Sequence, residues 1–165
     1  MKKPTPDFLR ILRTLSEQQV EFIVVGGLGA VLQGAPIATL DLDLVHSRSP
    51  PNIDRLIPAL EALDARYRGQ AGRTMRPDAS HLASQGHQLL MTLAGPLDLL
   101  GVIGHGRGYE ELLPHTVELK AGAGANVRVL DLKTLIETKE EAGRDKDRAV
   151  LAILRRTLEE KEKKA

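Results

Sequence analysis

The stretch VVGGLGAVLQGAPIATLDLDLV, residues 24–45, joins a pair of glycines to two aspartates one residue apart. A β-branched and aromatic run over residues 21–25 stops at the glycines, which predicts a buried strand. A short helix over residues 28–33 is expected next, because a glycine and a proline follow it. Residues 40–45 alternate leucine with aspartate, which is the period of a strand with one solvent-facing side.

The two aspartates of this stretch form a candidate metal site. Asp41 and Asp43 stand at positions i and i+2 of the expected strand, so both side chains leave it on the same face. Carboxylate oxygens suit Mg²⁺, and a third carboxylate would let two ions lie about 3.5 to 4 Å apart. Asp98 is the candidate for that third ligand, because it stands alone among apolar residues in the strand-like segment LDLL. The alternatives are an exposed strand face for the first two aspartates and a backbone-satisfied carboxylate for Asp98.

The glycine pair predicts an anion site beside these carboxylates. Gly26 and Gly27 lie between the expected strand and the expected helix, where backbone N–H groups are left without partners. Because glycine has no Cβ, a phosphate group could approach the backbone closely at both positions.

Outside this stretch, apolar spacing predicts four more helices and four more strands. The expected helices span residues 7–18, 53–63, 131–143 and a last segment from Asp145 or Asp147 to about 160. The expected strands span residues 88–93, 97–103, 117–119 and 127–129, with the connection AGAGAN between the last two.

Two segments outside the stretch have a weaker pattern. Pro58 is expected to kink the helix over residues 53–63 or to delay its start. Residues 66–85 are rich in Gly, Arg, Ser and Pro and are expected to form a loop or irregular strands.

No repeat or linker divides the chain. Residues 1–165 are therefore expected to form a single α/β (α+β) domain, with a mixed sheet flanked by helices and C-terminal helices over residues 131–160.

Composition excludes several classes of function. Twenty-three basic residues nearly balance 22 acidic ones, so the net charge of +1 gives no overall field that attracts nucleic acid. Four aromatic residues do not favour platforms for base stacking. The absence of cysteine excludes disulfides, thiol catalysis and cysteine-ligated zinc. With no membrane-length apolar run and no apolar segment behind the start MKKPTPDFLR, we expect a cytoplasmic protein that contacts no membrane.

The order of strand, Gly-Gly, short helix, Asp-x-Asp strand and a later strand aspartate resembles the polymerase β-like nucleotidyltransferases. More narrowly, residues 24–45 look like the minimal bacterial branch that includes nucleotidyltransferase toxins of toxin–antitoxin and abortive-infection systems. The resemblance is weaker around residues 97–101 and at KEEAGRDKDRA, which is similar to a basic helical segment of such chains.

The resemblance implies a nucleotidyltransferase fold and a Mg²⁺-dependent transfer of a nucleoside monophosphate from a nucleoside triphosphate such as ATP. Two Mg²⁺ ions are implied, with Mn²⁺ as a substitute, and the acceptor hydroxyl would belong to a protein, an RNA or a small molecule. An antitoxin protein is an implied partner. By this resemblance Asp41, Asp43 and Asp98 would bind metal, Asp98 would help to activate the acceptor hydroxyl, and the triphosphate would be bound by Gly26, Gly27, Lys139, Arg144 and Lys146.

One departure from the family pattern leaves a second interpretation open. Relatives in this branch often carry an arginine two residues before the threonine that precedes Asp-x-Asp, and here that position is Ile37. A catalytically inert module that binds a nucleotide or a protein partner is therefore the alternative. A dinucleotide-binding site is less well supported, because Leu32 stands where its third glycine would be.

The remaining polar motifs are given ordinary structural roles. The five histidines have no metal-ligand spacing, and we expect all of them at the surface or in loops. The basic residues Lys139, Arg144 and Lys146 have a solvated helix surface as their alternative. Asp145 and Asp147 are expected to cap the last helix, and GHGRGY, residues 104–109, to form a mobile bend.

Overall fold

The computed structural model describes residues 5–69, 74–122 and 125–164, which contain seven strands, seven α-helices and two short 3-10 helices, Leu113–His115 and Asp145–Asp147. The strands are β1 (Phe22–Val25), β2 (Leu42–His46), β3 (Arg66–Tyr67), β4 (His87–Thr92), β5 (Gly95–Leu100), β6 (Thr116–Lys120) and β7 (Asn126–Leu130). The helices are α1 (Phe8–Glu17), α2 (Gly26–Leu32), α3 (Pro50–Ala62), α4 (Ala79–Ala83), α5 (Tyr109–Leu112), α6 (Leu132–Ala142) and α7 (Arg148–Lys164).

The strands form one mixed sheet in the order β3-β4-β5-β2-β1-β7-β6. β2 pairs with β5 and β1 pairs with β7 in parallel, while the other neighbouring strands are antiparallel. The prediction of a mixed, partly antiparallel sheet flanked by helices is confirmed.

Helices cover both faces of this sheet because its central strands are apolar on both sides. All four residues of β1 are buried, and successive side chains of a strand point to opposite faces. Val24 belongs to an apolar cluster with α1 and α3, whereas Ile23 and Val25 belong to a second cluster with α6 and α7. Full burial of one such aliphatic side chain contributes about 1.5–3 kcal/mol, so the two clusters are the main source of stability.

The third helix starts earlier than expected. The Ser49 side chain accepts a hydrogen bond from the Asn52 backbone N–H, and Pro50 follows at the first helical position, where its missing N–H needs no partner. The helix then includes Pro58. The prediction that Pro58 delays the start of this helix was therefore wrong.

Residues 66–85, expected as a loop or irregular strands, contain β3 and the short helix α4. Asp78 caps α4 by accepting from the His81 backbone N–H, and the His81 ring accepts from the Asp78 N–H in return. The apolar content of this helix is too small to show a period, which explains why it was missed. Residues 70–73 lie outside the described residues, as do residues 123 and 124 of the expected AGAGAN connection.

One histidine lies in the interior, contrary to prediction. His46 at the end of β2 is 1% exposed, and its Nε2 donates to the backbone oxygen of Leu82 in α4 at 2.7 Å. Burial lowers the pKa of this histidine, so it is held neutral. The other four histidines are at least partly exposed. None of the helices in the described ranges has the length and apolar character to cross a bilayer.

Candidate active site

Two carboxylates lie side by side at the centre of the sheet. β2 and β5 are parallel neighbours, and their register places Asp43 directly opposite Asp98. The flanking residues Leu42 and Leu44 are fully buried on the opposite face, so a shift of β2 by one residue would expose them. The core therefore fixes the position of the pair, which we call the acidic wall.

Burial and the neighbouring carboxylates raise the pKa of Asp43. Burial raises the pKa of its carboxyl to about 7 from 3.8, and the neighbouring Asp98 is the second cause through charge and a shared hydrogen bond. Asp41 raises the same pKa further, whereas Lys139 lowers it. A cation bound at this wall would favour the ionised form of Asp43 and lower its pKa.

The glycine pair packs against the Asp-x-Asp segment. A Cβ on Gly26 would lie 2.3 Å from Oδ2 of Asp43, and Gly26 also has a left-handed φ of +65°. A Cβ on Gly27 would lie 2.8 Å from Oγ1 of Thr39. Asp43 and Thr39 leave no space for a Cβ at these two positions. This explains why both are glycine, whether or not a phosphate binds there. The helix that follows begins directly after Val25 without a side-chain cap.

A cavity of about 580 Å³ opens in front of the acidic wall. It brings together six of the eight predicted site residues, and its apolar lining comes from β1, β4, β5, α6 and the loop after β5. The predicted residues that line it are Gly26, Asp43, Asp98, Lys139, Arg144 and Lys146. The described lining does not include Gly27 or Asp41.

The cavity is also lined by a basic wall, which consists of Lys139, Arg144 and Lys146. Lys139 lies on α6, and the other two follow Gly143, whose left-handed conformation ends that helix as predicted. Asp147 is buried beneath them, where it accepts from Arg144 Nε at 3.0 Å and lies 3.7 Å from Lys139 Nζ. Asp147 directly precedes α7, and its carboxylate holds two basic side chains, so the prediction that Asp145 or Asp147 caps the last helix stays a prediction.

An arginine that the sequence analysis did not single out contacts the acidic residues. The Arg68 guanidinium forms an ion pair with Oδ1 of Asp98 and lies 3.9 Å from Oδ1 of Asp41. Its side chain is 27% exposed and that of Asp98 is 13% exposed. Arg68 follows a two-residue strand in a segment without periodicity, so only the sheet pairing reveals its position.

Asp41 differs from the other two predicted carboxylates. It precedes β2, its side chain is 56% exposed, and its backbone oxygen accepts from Thr39 Oγ1 at 3.0 Å. Within residues 5–69, 74–122 and 125–164, no three Asp, Glu or His side chains converge as a metal-ligand set. The assignment of Asp41 as a metal ligand stays a prediction.

The acidic wall itself fits a divalent cation. Asp43 and Asp98 are adjacent, hard oxygen donors, and their mutual repulsion favours a bound positive charge. Magnesium commonly takes only one or two protein carboxylates and completes its shell with water and phosphate oxygens. The residues that would hold it are Asp43 and Asp98.

Ile37, which stands at the position of the family's arginine, packs against the apolar cluster of α6 and α7. This position therefore supplies no positive charge to the cavity.

The GHGRGY segment forms a bend next to the cavity. Ile103 and Arg107 pair across it, the His105 backbone N–H donates to Glu141 Oε1 at 3.0 Å, and Arg107 forms ion pairs with Glu137 and Glu141 of α6. Gly104 of this bend also lines the cavity, so the bend forms part of the cavity wall.

Comparison with known proteins supports the fold. The sequence matches no family model and no curated protein. The crystal structure of a candidate nucleotidyltransferase from Thermotoga maritima is similar, with a TM-score of 0.55, 17% sequence identity and 93% of each chain covered. The chain shares its fold with this protein. The predicted nucleotidyltransferase fold is thereby confirmed, and at this identity the likeness extends to the fold alone.

Proposed function

We propose that this protein is a metal-dependent nucleotidyltransferase that moves a nucleoside monophosphate from a nucleoside triphosphate to an acceptor hydroxyl. The observation that carries the proposal is the acidic wall, where Asp43 lies opposite Asp98 and both face a cavity lined by Lys139, Arg144 and Lys146. Carboxylates and cations that line one cavity suit a ligand that carries both divalent metal and phosphate.

The residues of the two walls have different roles in this proposal. Asp43 and Asp98 would hold Mg²⁺, with Mn²⁺ as a substitute, and Asp41 would help to hold a second ion. The metal, when bound, supplies positive charge that polarises the phosphoryl oxygens and favours the attacking alkoxide. Lys139, Arg144 and Lys146 would neutralise the triphosphate, and the backbone at Gly26 and Gly27 would lie along it.

The reaction forms one bond from the acceptor oxygen to the α-phosphorus and breaks the bond from that phosphorus to pyrophosphate. Asp98 would accept the hydroxyl proton as the oxygen attacks, and the basic wall would stabilise the charge that develops on pyrophosphate. The order of glycines and aspartates further suggests a toxin-type enzyme with an antitoxin partner. The acceptor would then be a protein, an RNA or a small molecule that offers a hydroxyl.

The proposal is tested with each α-labelled nucleoside triphosphate, Mg²⁺ and a bacterial lysate. We expect one triphosphate to label one class of molecule, and we expect Asp43→Asn and chelator each to abolish the labelling. Equal labelling by wild type and Asp43→Asn would contradict the proposed site. Separate digestion of the labelled material with protease and with ribonuclease identifies the acceptor class.

An inert nucleotide-binding module is the second candidate, and the apolar packing of Ile37 is the observation that favours it. Calorimetry with a triphosphate separates the two functions. Binding that requires Mg²⁺ and is lost in Asp43→Asn, together with labelling, supports the enzyme. Triphosphate binding that is the same without Mg²⁺ and in Asp43→Asn, with no labelling, supports the inert module.

A further inference from the structure

The Arg68 side chain holds a position at the acidic wall that a metal ion would also need. Its guanidinium pairs with Oδ1 of Asp98, the same carboxylate that the proposed function assigns to Mg²⁺, and it reaches towards Asp41. The Asp98 side chain is 13% exposed with the guanidinium in place. A guanidinium and a divalent ion on one carboxylate would also repel each other.

We propose that Arg68 is an internal counter-ion that a divalent cation displaces when it binds Asp43 and Asp98. The inference rests on the cation site of the proposed function and adds a residue that limits the affinity of that site. In the ion-free protein Arg68 neutralises the acidic wall, and in the ion-bound protein its side chain lies away from Asp98.

The backbone of Arg68 is fixed, so displacement requires movement of the side chain alone. The Arg68 N–H donates to the Leu89 oxygen at 3.0 Å, and Leu89 is the register partner of Asp98 on β4 and β5. The preceding residues Arg66 and Tyr67 pair with β4. The guanidinium thus starts from an anchored Cα beside Asp98, and its partly exposed side chain can rotate into solvent.

Displacement predicts that the cation binds more tightly when the guanidinium is removed. Without Arg68 the ion meets a free Asp98 and one positive charge fewer. Arg68→Lys keeps the charge but loses the planar fork that pairs with a carboxylate, so its affinity should lie between those of wild type and Arg68→Gln. Arg66 is the matched control, because it is an arginine two residues earlier, on β3, and it pairs with Asp64 outside the site.

The test is calorimetric titration of Mg²⁺ alone into the full chain, with circular dichroism to verify that each variant is folded. We expect Arg68→Gln to bind Mg²⁺ about tenfold or more tightly than wild type. Arg66→Gln should remain within about twofold of wild type, since it leaves the acidic wall unchanged. Equal or weaker binding by Arg68→Gln would overturn the proposal, as would an absence of Mg²⁺ binding in both proteins.

A second readout uses the wild-type protein and does not depend on the folding of a variant at the site. The Nε–H signal of Arg68, assigned by its loss in Arg68→Lys, should shift in a nitrogen-15 spectrum as Mg²⁺ is added. A signal that is unchanged at saturating Mg²⁺ would overturn displacement. If Arg68→Gln binds Mg²⁺ more tightly but the wild-type protein transfers no nucleotide, the displacement of Arg68 is supported and the proposed function is contradicted.

Discussion

The acidic and basic walls of the cavity are organised alike but are built on different supports. Each wall contains a counter-ion of the opposite sign, Arg68 on Asp98 in the acidic wall and Asp147 on Lys139 and Arg144 in the basic wall. The carboxylates lie on two central strands, whereas two of the basic residues lie on the turn after α6.

The difference between the walls indicates which one fixes geometry and which one adapts. Strand register and a buried core set the position of Asp43 and Asp98, so they can hold an ion in one place. Flexible basic side chains on a helix end and a turn suit a ligand whose phosphates change position during the reaction. Variants of the two walls should therefore fail in different ways.

The largest effect is expected for Asp98→Asn in the acidic wall. It should lower the rate of nucleotide transfer at least about 1000-fold, because several kcal/mol of charge stabilisation are lost. Lys139→Gln in the basic wall should instead raise the KM for the triphosphate about tenfold, since one charged phosphate contact is lost. Steady-state labelling rates at several triphosphate concentrations measure both values. If Asp98→Asn and Lys139→Gln changed the rate by the same factor and the KM by the same factor, the two walls would not have different roles.

Gly26→Ala should disturb the acidic wall without changing its charge. The new Cβ would meet Oδ2 of Asp43, and displacement of a catalytic group by about 1 Å can lower a rate about 100-fold. Gly34→Ala is the control, because Gly34 also has a positive φ but has open space around its Cβ position. Both variants should lose about 1–2 kcal/mol of stability from backbone strain, and only Gly26→Ala should lose activity. Thermal unfolding and the labelling assay measure the two effects.

The pH dependence of stability tests the acidic wall in the absence of metal. Because folding raises the pKa of Asp43 from 3.8 to about 7, the folded protein binds more protons than the unfolded chain between these values. The stabilisation of the protonated form is fully present below pH 3.8 and is lost as the pH rises through 7. In chelator at pH 8, Asp43→Asn should therefore be about 2 kcal/mol more stable than wild type, a factor of about 30 in the unfolding equilibrium.

Chemical denaturation at pH 4 and pH 8 measures this difference, which should shrink towards pH 4. Saturating Mg²⁺ is the control condition, because an ion that binds the ionised carboxylates should make the wild type the more stable protein. A stability difference that is the same at both pH values would show that Asp43 does not titrate in this range.

The smallest effect on activity is expected for the counter-ion of the basic wall. Asp147→Asn releases Lys139 and Arg144, and we expect the dissociation constant of the triphosphate to rise about fivefold to tenfold. Loss of a buried charge partner should also lower stability by about 2 kcal/mol. Asp145→Asn is the matched control, since Asp145 is exposed and pairs with the exposed Arg148 in the same turn. If both variants bind the triphosphate like the wild type, Asp147 does not organise the basic wall.

The parts of this molecule that depend on local spacing were predictable from sequence. The strand, the glycine pair and the Asp-x-Asp segment each have a short-range pattern, and Asp98 was recognisable as an isolated acid in an apolar strand. The mixed sheet followed from these elements. Their meeting at one cavity depended on the order of the strands, which the family resemblance implied and spacing alone did not contain.

The counter-ions of both walls were missed because they depend on tertiary contacts. Arg68 reaches Asp98 only through the pairing of β3 with β4 and of β4 with β5. Asp147 was assigned to a helix cap because its neighbours in sequence favour one, and its burial under Lys139 became visible only in the folded chain. His46 was missed for the same reason, since the partner Leu82 lies in a helix without a sequence pattern.

The parallel pairing of β2 with β5 makes the acidic wall a joint product of two distant parts of the chain. The intervening residues include α3, β3, α4 and β4, so neither half of the protein contains both carboxylates. If the chain were cut between α3 and α4, each piece would carry one member of the pair. Ion binding would then return only when the two fragments reassemble into the sheet, which makes it a reporter of fragment complementation.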